Sequence, residues 1–241
     1  MKKLKVLIIT NYGYHFSDLQ NFPSPQSLSC LTTIRLQHVS VSSICTPILE
    51  LTNLRKLSLI MCRIGNGFNE FMPNKLTSTL SEIDIDSCDD LLTFPSMFCN
   101  LIGLRKLSIT NCHELSSLTE GFRNLTNLEV LRLASCLNLI ELPESMGSMQ
   151  KLRDLDLTDC LSLKKLPEDI GYLSGLRMIH MRGCTKLHEI PLSINDLNSL
   201  EVVCDLEIKV LWTEFTKVKV QVVEEDTLAT LLKIIERDMH V

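Results

Sequence analysis

The sequence predicts an α/β solenoid with a parallel β-sheet on its concave face and irregular or short helical segments on its convex face. Two observations predict this fold. A nine-residue pattern, L-x-x-L-x-L-x-x-C, recurs along the chain, and from Leu80 to Leu200 its first leucine returns every 24 residues. Within each copy the apolar residues alternate, which is typical of a short strand with one buried face. A single copy cannot bury its leucines alone, so the copies must stack, and regular stacking builds a solenoid.

Each coil of this solenoid is expected to hold a strand and an irregular return segment. Clear copies of the strand pattern begin at Leu54, Leu80, Leu104, Leu128, Leu152 and Leu176, and weaker ones at Leu4 and Leu31. A proline follows the pattern's cysteine by seven residues at Pro95, Pro143, Pro167 and Pro191. Proline fixes φ and has no N–H to donate, which favours an irregular return over a regular helix. The pattern and its period are those of a leucine-rich repeat.

The ninth place of the pattern is where the chain turns inward from the strand. Six cysteines occupy it: Cys62, Cys88, Cys112, Cys136, Cys160 and Cys184. A small side chain with a weak donor can reach the backbone of an adjacent coil there, so we predict a buried structural ladder. A zinc site would need close cysteine pairs, whereas these six lie 24 to 26 residues apart. Ten cysteines without a pairing pattern are typical of a reducing compartment.

The outward positions of the strands are the candidate protein-interaction surface. The polar and charged residues placed there are Lys56, Glu82, Asp84, Asp86, Lys106, Arg132, Asp154, Asp156, His180 and Arg182. Glu82, Asp84 and Asp86 form the patch with the most uniform charge. The alternative interpretation is a solvated face whose opposite charges neutralise one another, with each exposed pair contributing only about 0–1 kcal/mol.

The repeat pattern divides the chain into three parts. We expect irregular N-terminal repeats with an insertion over 1–53, regular repeats over 54–199 and a C-terminal cap over 200–241. After Leu200 the pattern is expected to fail, because Asp205 stands where an inward leucine should be. "KVKVQVV" predicts a final strand, "TLATLLKIIERD" predicts a helix, and Trp212 is expected to anchor the cap.

Several other functions are disfavoured by the composition and the spacing of residues. The net charge of −5 and the lack of a basic stripe argue against a nucleic-acid partner. No run approaches the roughly 20 apolar residues that span a bilayer. "DIDSCDD" has Asp89 where a calcium loop needs glycine. His113, His180 and His188 have no nucleophile at catalytic spacing, so we expect neither an enzyme nor a metal or cofactor site.

The combined pattern L-x-x-L-x-L-x-x-C-x-x-L-x-x-L-P-x-x-I-G-x-L resembles the repeats of plant intracellular nucleotide-binding leucine-rich-repeat immune receptors. "LKVLIITNYGYHFSDLQNF", "SCDDLLTFPS" and "LEVVCDLEIKVLW" are most similar to the C-terminal region of the coiled-coil helper class. The resemblance covers essentially the whole chain. It implies a non-enzymatic interaction domain that restrains its receptor's nucleotide-binding module and contacts lipase-like signalling proteins in defence.

The same resemblance implies a cytoplasmic protein, with the nucleus or the surface of the plasma membrane as further locations of the full receptor. ADP or ATP would be bound by a separate nucleotide-binding module, because the motif G-x-x-x-x-G-K-[ST] does not occur in this sequence. We therefore expect the C-terminal portion of a receptor or a truncated product.

Two alternatives remain open at this stage. One is a free-standing intracellular leucine-rich-repeat scaffold that binds a GTPase or a phosphatase. The other is an extracellular ectodomain, supported only by the sequon Asn124-Leu-Thr126. Plant ectodomains of that kind show L-x-G-x-I-P repeats and cysteine-paired caps, and neither is visible here. The genomic sequence upstream of Met1 would discriminate between the receptor and the scaffold.

Overall fold

A computed structural model describes residues 3–65, Phe68 and residues 79–223 of the 241-residue chain. Its strands are β1 (Val6–Thr10), β2 (Ser17–Asp18), β3 (Thr33–Gln37), β4 (Val39–Ser40), β5 (Lys56–Ile60), β6 (Glu82–Asp86), β7 (Lys106–Thr110), β8 (Val130–Arg132), β9 (Asp154–Asp156), β10 (Met178–His180), β11 (Glu201–Cys204) and β12 (Lys219–Val222). Ten of them form one sheet in the order β1-β3-β5-β6-β7-β8-β9-β10-β11-β12. Every neighbouring pair is parallel, which confirms the predicted leucine-rich-repeat solenoid.

The helical segments are short. The α-helices are α1 (Cys45–Leu49) and α2 (Leu206–Lys209), and the 3₁₀ helices are Pro25–Leu28, Ser96–Asn100, Glu120–Asn124, Glu144–Ser148, Glu168–Tyr172, Leu192–Asp196 and Val210–Trp212. Four of the 3₁₀ helices begin directly after one of the recurring prolines. The proline carbonyl accepts the first bond of the turn, as Pro143 does from Met146 N at 3.1 Å. The missing proline N–H costs nothing at a helix start.

The strand register stacks equivalent residues of successive coils. Leu107, Leu131 and Leu155 are directly paired across β7, β8 and β9, and each is at most 1% exposed. Because strands lie about 4.8 Å apart, each inward leucine packs on the one before and the one after it. The core is therefore a continuous column of aliphatic layers, and the outward residues form matching columns on the other face of the sheet.

The six ninth-place cysteines lie in this core, directly after the point where the chain leaves each strand. All are buried and none is paired in a disulfide. Five of the thiols donate to a main-chain carbonyl of the preceding coil, at 3.1 Å for Cys160 to Leu133 and 3.2 Å for Cys184 to Leu157. Burial raises the pKa of every one of the six, to about 12 for Cys112 and Cys184.

The residue before each of these cysteines has left-handed backbone geometry. Met61, Ser87, Asn111, Ser135 and Asp159 have φ between 46° and 59°, and Gly183 has φ 75°. This conformation ends the strand and turns the ninth residue inward. The N–H of the left-handed residue still donates to the next coil, as from Asp159 to the Arg182 carbonyl at 2.7 Å. Small polar residues and glycine tolerate this geometry best.

The repeat pattern fails after Leu200, as expected from Asp205. Strand β11 pairs Val202 with Ile179, a spacing of 23 residues instead of 24. With one residue fewer, Val202 and Cys204 point inward, and both are 0% exposed. Asp205 therefore lies outside the core. Its carboxylate accepts from Ile208 N at 2.9 Å at the start of α2 and from Gly183 N at 2.7 Å in the preceding coil.

Two aromatic residues pack together near the C-terminal end of the described residues. Trp212 is 2% exposed and its indole Nε1 donates to Met181 Sδ at 3.2 Å, while the Phe215 ring lies 5.7 Å from it. The strand expected in "KVKVQVV" is present as β12. The helix expected in "TLATLLKIIERD" lies outside the described residues. Of the helices in the described part of the chain, none has both the length and the apolar character needed to cross a membrane.

Candidate functional site on the outward face of the sheet

A depression of about 370 Å³ lies on the outward face of the sheet, across β5, β6, β7 and β8. Its lining residues are Lys56, Glu82, Ile83, Asp84, Lys106, Leu107, Ser108, Val130 and Arg132. Five of these are residues that the sequence placed on the interaction surface. We call this region the central depression. Its outward side chains are charged or polar except for Val130, so it is suited to binding a polar side chain or a loop of another molecule.

Glu82 lies between two lysines of the central depression. Its carboxylate oxygens lie 3.3 Å from Lys56 Nζ and 4.0 Å from Lys106 Nζ. All three side chains are more than a third exposed, so solvent screens both ion pairs and each contributes little to stability. A partner can therefore compete for Glu82 without a large cost to the fold.

Asp84 and Asp86 have a different role from Glu82. Asp84 accepts from the hydroxyl of Ser58 at 3.2 Å, and Ser58 is only 4% exposed although its position faces outward. Asp86 accepts from Thr110 Oγ1 at 2.6 Å and from Asn111 Nδ2 at 2.8 Å. Both carboxylates thus bind neighbouring coils to β6, and they are less available to a partner than the sequence suggests.

The remaining predicted residues lie on β9, β10 and the turn that follows, outside the central depression. Asp156 Oδ2 accepts from Arg132 Nε at 3.0 Å, which links the two regions. His180 Nε2 lies 3.8 Å from Asp154 Oδ1, an atom that is buried and has no hydrogen-bond partner among the described residues. Arg182 lies 3.9 Å from Asp159. These contacts form a second, more extended charged row.

Sequence reasoning missed an ion pair beside the central depression. Arg105 Nε donates to Glu129 Oε1 at 2.8 Å. The hydrogen bond from Arg105 holds the pKa of the Glu129 carboxyl below its usual range. Both residues occupy the second place of the repeat, next to the outward columns. Comparing that place across coils would have found the pair, because Arg105 and Glu129 are 24 residues apart.

The outward face has the chemistry of a binding surface. No group of three or more His, Cys, Asp or Glu side chains in residues 3–65 and 79–223 could hold a metal ion. The ladder thiols are buried and their raised pKa keeps them protonated, so they are poor nucleophiles. The remaining features of this face are exposed charges and hydroxyls, which are components of a protein-interaction surface.

Comparison with known proteins identifies plant relatives. No protein-family profile matches the chain. A 110-residue segment is 44% identical to the probable disease resistance protein At5g66900 of Arabidopsis thaliana, and it covers 44% of this chain and 14% of that protein. A further 110-residue match is 38% identical to the Arabidopsis disease resistance protein ADR1 and covers 45% of this chain and 14% of ADR1. The matched segment thus spans about one seventh of these relatives, and the predicted resemblance to plant disease resistance proteins is confirmed.

Solved structures show the same fold. The leucine-rich repeat domain of the type III effector XopL has 24% sequence identity and a TM-score of 0.67, covering 86% of this chain and 71% of that domain. The plant peptide hormone receptor RGFR1, solved in complex with RGF2, has 22% identity and a TM-score of 0.51, covering 82% of this chain and 35% of that receptor. At these identities the likeness concerns the fold.

Proposed function

We propose that this chain is the leucine-rich-repeat interaction domain of a plant nucleotide-binding immune receptor, and that it is not an enzyme. The observation that carries this proposal is the 44% identity to a disease resistance protein over a segment that builds the solenoid. In such a receptor the domain holds the nucleotide-binding module at rest and contacts lipase-like signalling proteins after activation. The domain itself binds no nucleotide, and it acts in the cytoplasm.

The central depression supports this function by its charge and its accessibility. Lys56, Lys106 and Arg132 alternate with Glu82 and Asp84 along the stacked strands. A partner surface with the complementary order of charges would be drawn to this face and fixed in register. Because the Glu82 ion pairs are exposed and screened, exchanging them for pairs with a partner costs little.

The test is a charge reversal at Glu82, with a matched control on the opposite side of the coil. Glu82→Lys places three cations together and should weaken binding about tenfold or more, since like charges at an interface cost several kcal/mol. Glu141→Lys is the control, because Glu141 is also an exposed glutamate, but it lies on the return segment and makes no side-chain hydrogen bond or ion pair with the described residues. Replacing Asp84 or Asp86 is less informative, because both hold neighbouring coils.

Binding is measured by co-precipitation with the nucleotide-binding module of a full-length relative and with lipase-like signalling proteins, alongside the melting temperature of each variant. We expect Glu82→Lys to lose binding while it melts close to the wild type, and Glu141→Lys to retain both binding and the wild-type melting temperature. If Glu82→Lys binds both partners like the wild type, the central depression is not the contact surface. A wild-type domain that binds neither partner would contradict the receptor function and favour a free-standing scaffold.

A further inference from the structure

The first two strands of the sheet carry a surface with different chemistry from the central depression. Val6 and Ile8 point outward from β1 and are 49% and 62% exposed. Tyr12 and Tyr14, in the loop after β1, are 94% and 100% exposed. Single exposed apolar residues are ordinary, but four large ones within nine residues form a patch of the kind that marks interaction sites. Together with Arg35 on β3, we call these residues the β1–β3 surface.

Arg35 gives this surface an unpaired positive charge. It lies directly opposite Ile8 in the strand register, and its side chain is exposed. Among the described residues no carboxylate lies within ion-pair distance of Arg35, whereas Lys56, Lys106 and Arg132 on the same face are each paired. An unpaired guanidinium beside exposed aliphatic groups favours a ligand that is both anionic and apolar.

The charges around Arg35 reinforce this preference. Residues 3–49 hold Lys3, Lys5 and Arg35 but a single acidic residue, Asp18, while the whole chain has a net charge of −5. The N-terminal coils are therefore locally positive in an acidic protein. A local field of this sign steers an anionic segment towards β1 and β3 and away from the acidic strand β6.

The loop that carries the two tyrosines is held in place. Asn11 Nδ2 donates to the carbonyls of His15 at 2.6 Å and His38 at 3.0 Å, and its Oδ1 accepts from Gly13 N at 2.9 Å. The centroids of the Phe16 and His38 rings lie 4.7 Å apart, and the Arg63 guanidinium carbon lies 5.0 Å from the Phe16 centroid. A loop that is already ordered loses little conformational entropy when it binds, and tyrosine is enriched at binding hot spots.

We propose that the β1–β3 surface docks an extended segment of a partner protein that carries aliphatic side chains next to a carboxylate. The aliphatic side chains contact Val6 and Ile8, the carboxylate pairs with Arg35, and the tyrosines cover the segment from the carboxyl end of β1. Arginine suits this role because its planar guanidinium can bind a carboxylate through two hydrogen bonds. Val6, Ile8 and Arg35 belong to the sheet on the inner face of the solenoid, which a narrow polypeptide segment reaches and a flat lipid surface does not.

This proposal is independent of the central depression and of the receptor function. Its test uses two fluorescein-labelled peptides, Ser-Leu-Asp-Leu-Asp-Leu-Ser and the same peptide with lysine in place of both aspartates, titrated with the whole chain and followed by fluorescence anisotropy. We expect the acidic peptide to bind at least about tenfold more tightly than the basic one, because only the acidic peptide supplies the missing partner of Arg35.

Variants assign the binding to this surface. Arg35→Glu should reverse the preference between the two peptides, and Ile8→Ser should weaken the binding of the acidic peptide while keeping the preference. Arg123→Glu is the matched control, since Arg123 is likewise exposed and has no ion-pair partner among the described residues, but lies on the return segment in the 3₁₀ helix Glu120–Asn124. It should leave the binding of the acidic peptide unchanged. Circular dichroism melting verifies that each variant is folded, and Arg35→Gln replaces Arg35→Glu if the latter does not fold.

Three outcomes would overturn the proposal. The first is a wild-type chain that does not distinguish the two peptides. The second is a folded Arg35→Glu or Arg35→Gln variant that binds the acidic peptide as tightly as the wild type does. The third is binding to phosphatidylserine-containing vesicles that Arg35→Glu and Ile8→Ser both abolish, which would make this a lipid-binding surface. Failure at Arg35 would leave the effect of Glu82→Lys on receptor partners unaffected, so the two proposals can be separated.

Discussion

The Cys160 thiol donates to the Leu133 carbonyl of the preceding coil at 3.1 Å, and this bond joins two coils at a point that water does not reach. The Leu133 N–H, in turn, donates to Asp156 of the following coil at 2.7 Å. The Leu133 carbonyl also accepts from Cys136 N at 3.4 Å, so the Cys160 thiol gives this buried carbonyl a second donor, from the following coil. The repetition of this contact explains why a thiol recurs at one place in the repeat.

The thiol ladder predicts a sharp difference in reactivity between Cys30 and the other cysteines. Cys30 is exposed, while the remaining nine are buried. A bulky thiol reagent such as 5,5′-dithiobis(2-nitrobenzoic acid) should react rapidly with one thiol of the native chain and with all ten after denaturation. Cys30→Ser should remove the rapid phase. Rapid labelling of several ladder positions in a folded sample would show that they are open to solvent.

The same thiols predict a loss of stability at alkaline pH. Burial raises the pKa of Cys184 to about 12, so the native state keeps its proton where the unfolded chain, with a pKa of about 8.5, has lost it. The unfolded state then binds fewer protons, and the free energy of unfolding falls as the pH rises above about 8.5. Each such thiol contributes up to about 1.4 kcal/mol per pH unit. We expect urea unfolding to show that the free energy of unfolding falls less between about pH 8 and pH 10 for Cys160→Ser than for the wild type. For Cys30→Ser it should fall by as much as for the wild type.

The sequence is sufficient to predict the solenoid because its evidence is periodic. Leu107, Leu131 and Leu155 recur at a fixed spacing and alternate with outward residues, so the strands, their register and the buried face all follow from one pattern. Each coil repeats the same physical problem and therefore the same solution. The sequence also predicted that the pattern fails at Asp205, but not that the coil is shortened by one residue, so that Val202 instead of Val203 pairs with Ile179.

The binding surfaces were less predictable because they depend on contacts between side chains. The outward columns gave the positions of Glu82 and Asp86, but only the structure shows that Thr110 and Asn111 engage Asp86 while solvent-screened lysines flank Glu82. Ser58 faces outward in the pattern and is nevertheless buried. Arg35 was overlooked because its coil is a weak copy of the repeat, and its lack of a described ion pair cannot be read from spacing.

Gly171 lies where two neighbouring return segments approach each other closely. A Cβ on Gly171 would overlap the carbonyl oxygen of Ser193 and lie 2.7 Å from Ser193 Cβ, because adjacent 3₁₀ helices approach closely there. Gly171→Ala should therefore lower the free energy of unfolding by about 1–3 kcal/mol, as overpacking usually does. Gly103→Ala is the control, since the nearest atom to its Cβ would be the Leu80 carbonyl oxygen at 3.8 Å. Equal stability of the two variants in urea unfolding would mean that these helices are not in close contact.

The inward leucines should dominate the stability of the solenoid. Leu155 is 0% exposed at the centre of β9, so Leu155→Ala should cost about 2–5 kcal/mol through lost burial and a cavity. The effect should extend to the flanking coils, because each layer packs on its neighbours. Lys106→Ala, with a side chain that is 60% exposed, should change stability by no more than about 0.5 kcal/mol. Hydrogen exchange should show faster opening of β8 and β10 in Leu155→Ala, and comparable losses in both variants would contradict the assigned register.

The Asp205 side chain joins two elements of the solenoid. Its Oδ1 accepts from Ile208 N at 2.9 Å and caps α2, and its Oδ2 accepts from Gly183 N at 2.7 Å, where the chain leaves β10. Asp205→Ala removes both acceptors and should lower the free energy of unfolding by about 1–3 kcal/mol. Asp205→Asn keeps one carbonyl oxygen and should lose less, because the amide oxygen can still cap α2 while its NH₂ group cannot accept from Gly183. In hydrogen exchange the Gly183 amide should lose protection in both variants, whereas the Ile208 amide should lose it in Asp205→Ala alone. Unchanged protection of the Gly183 amide in Asp205→Ala would show that Asp205 does not connect the shortened coil to β10.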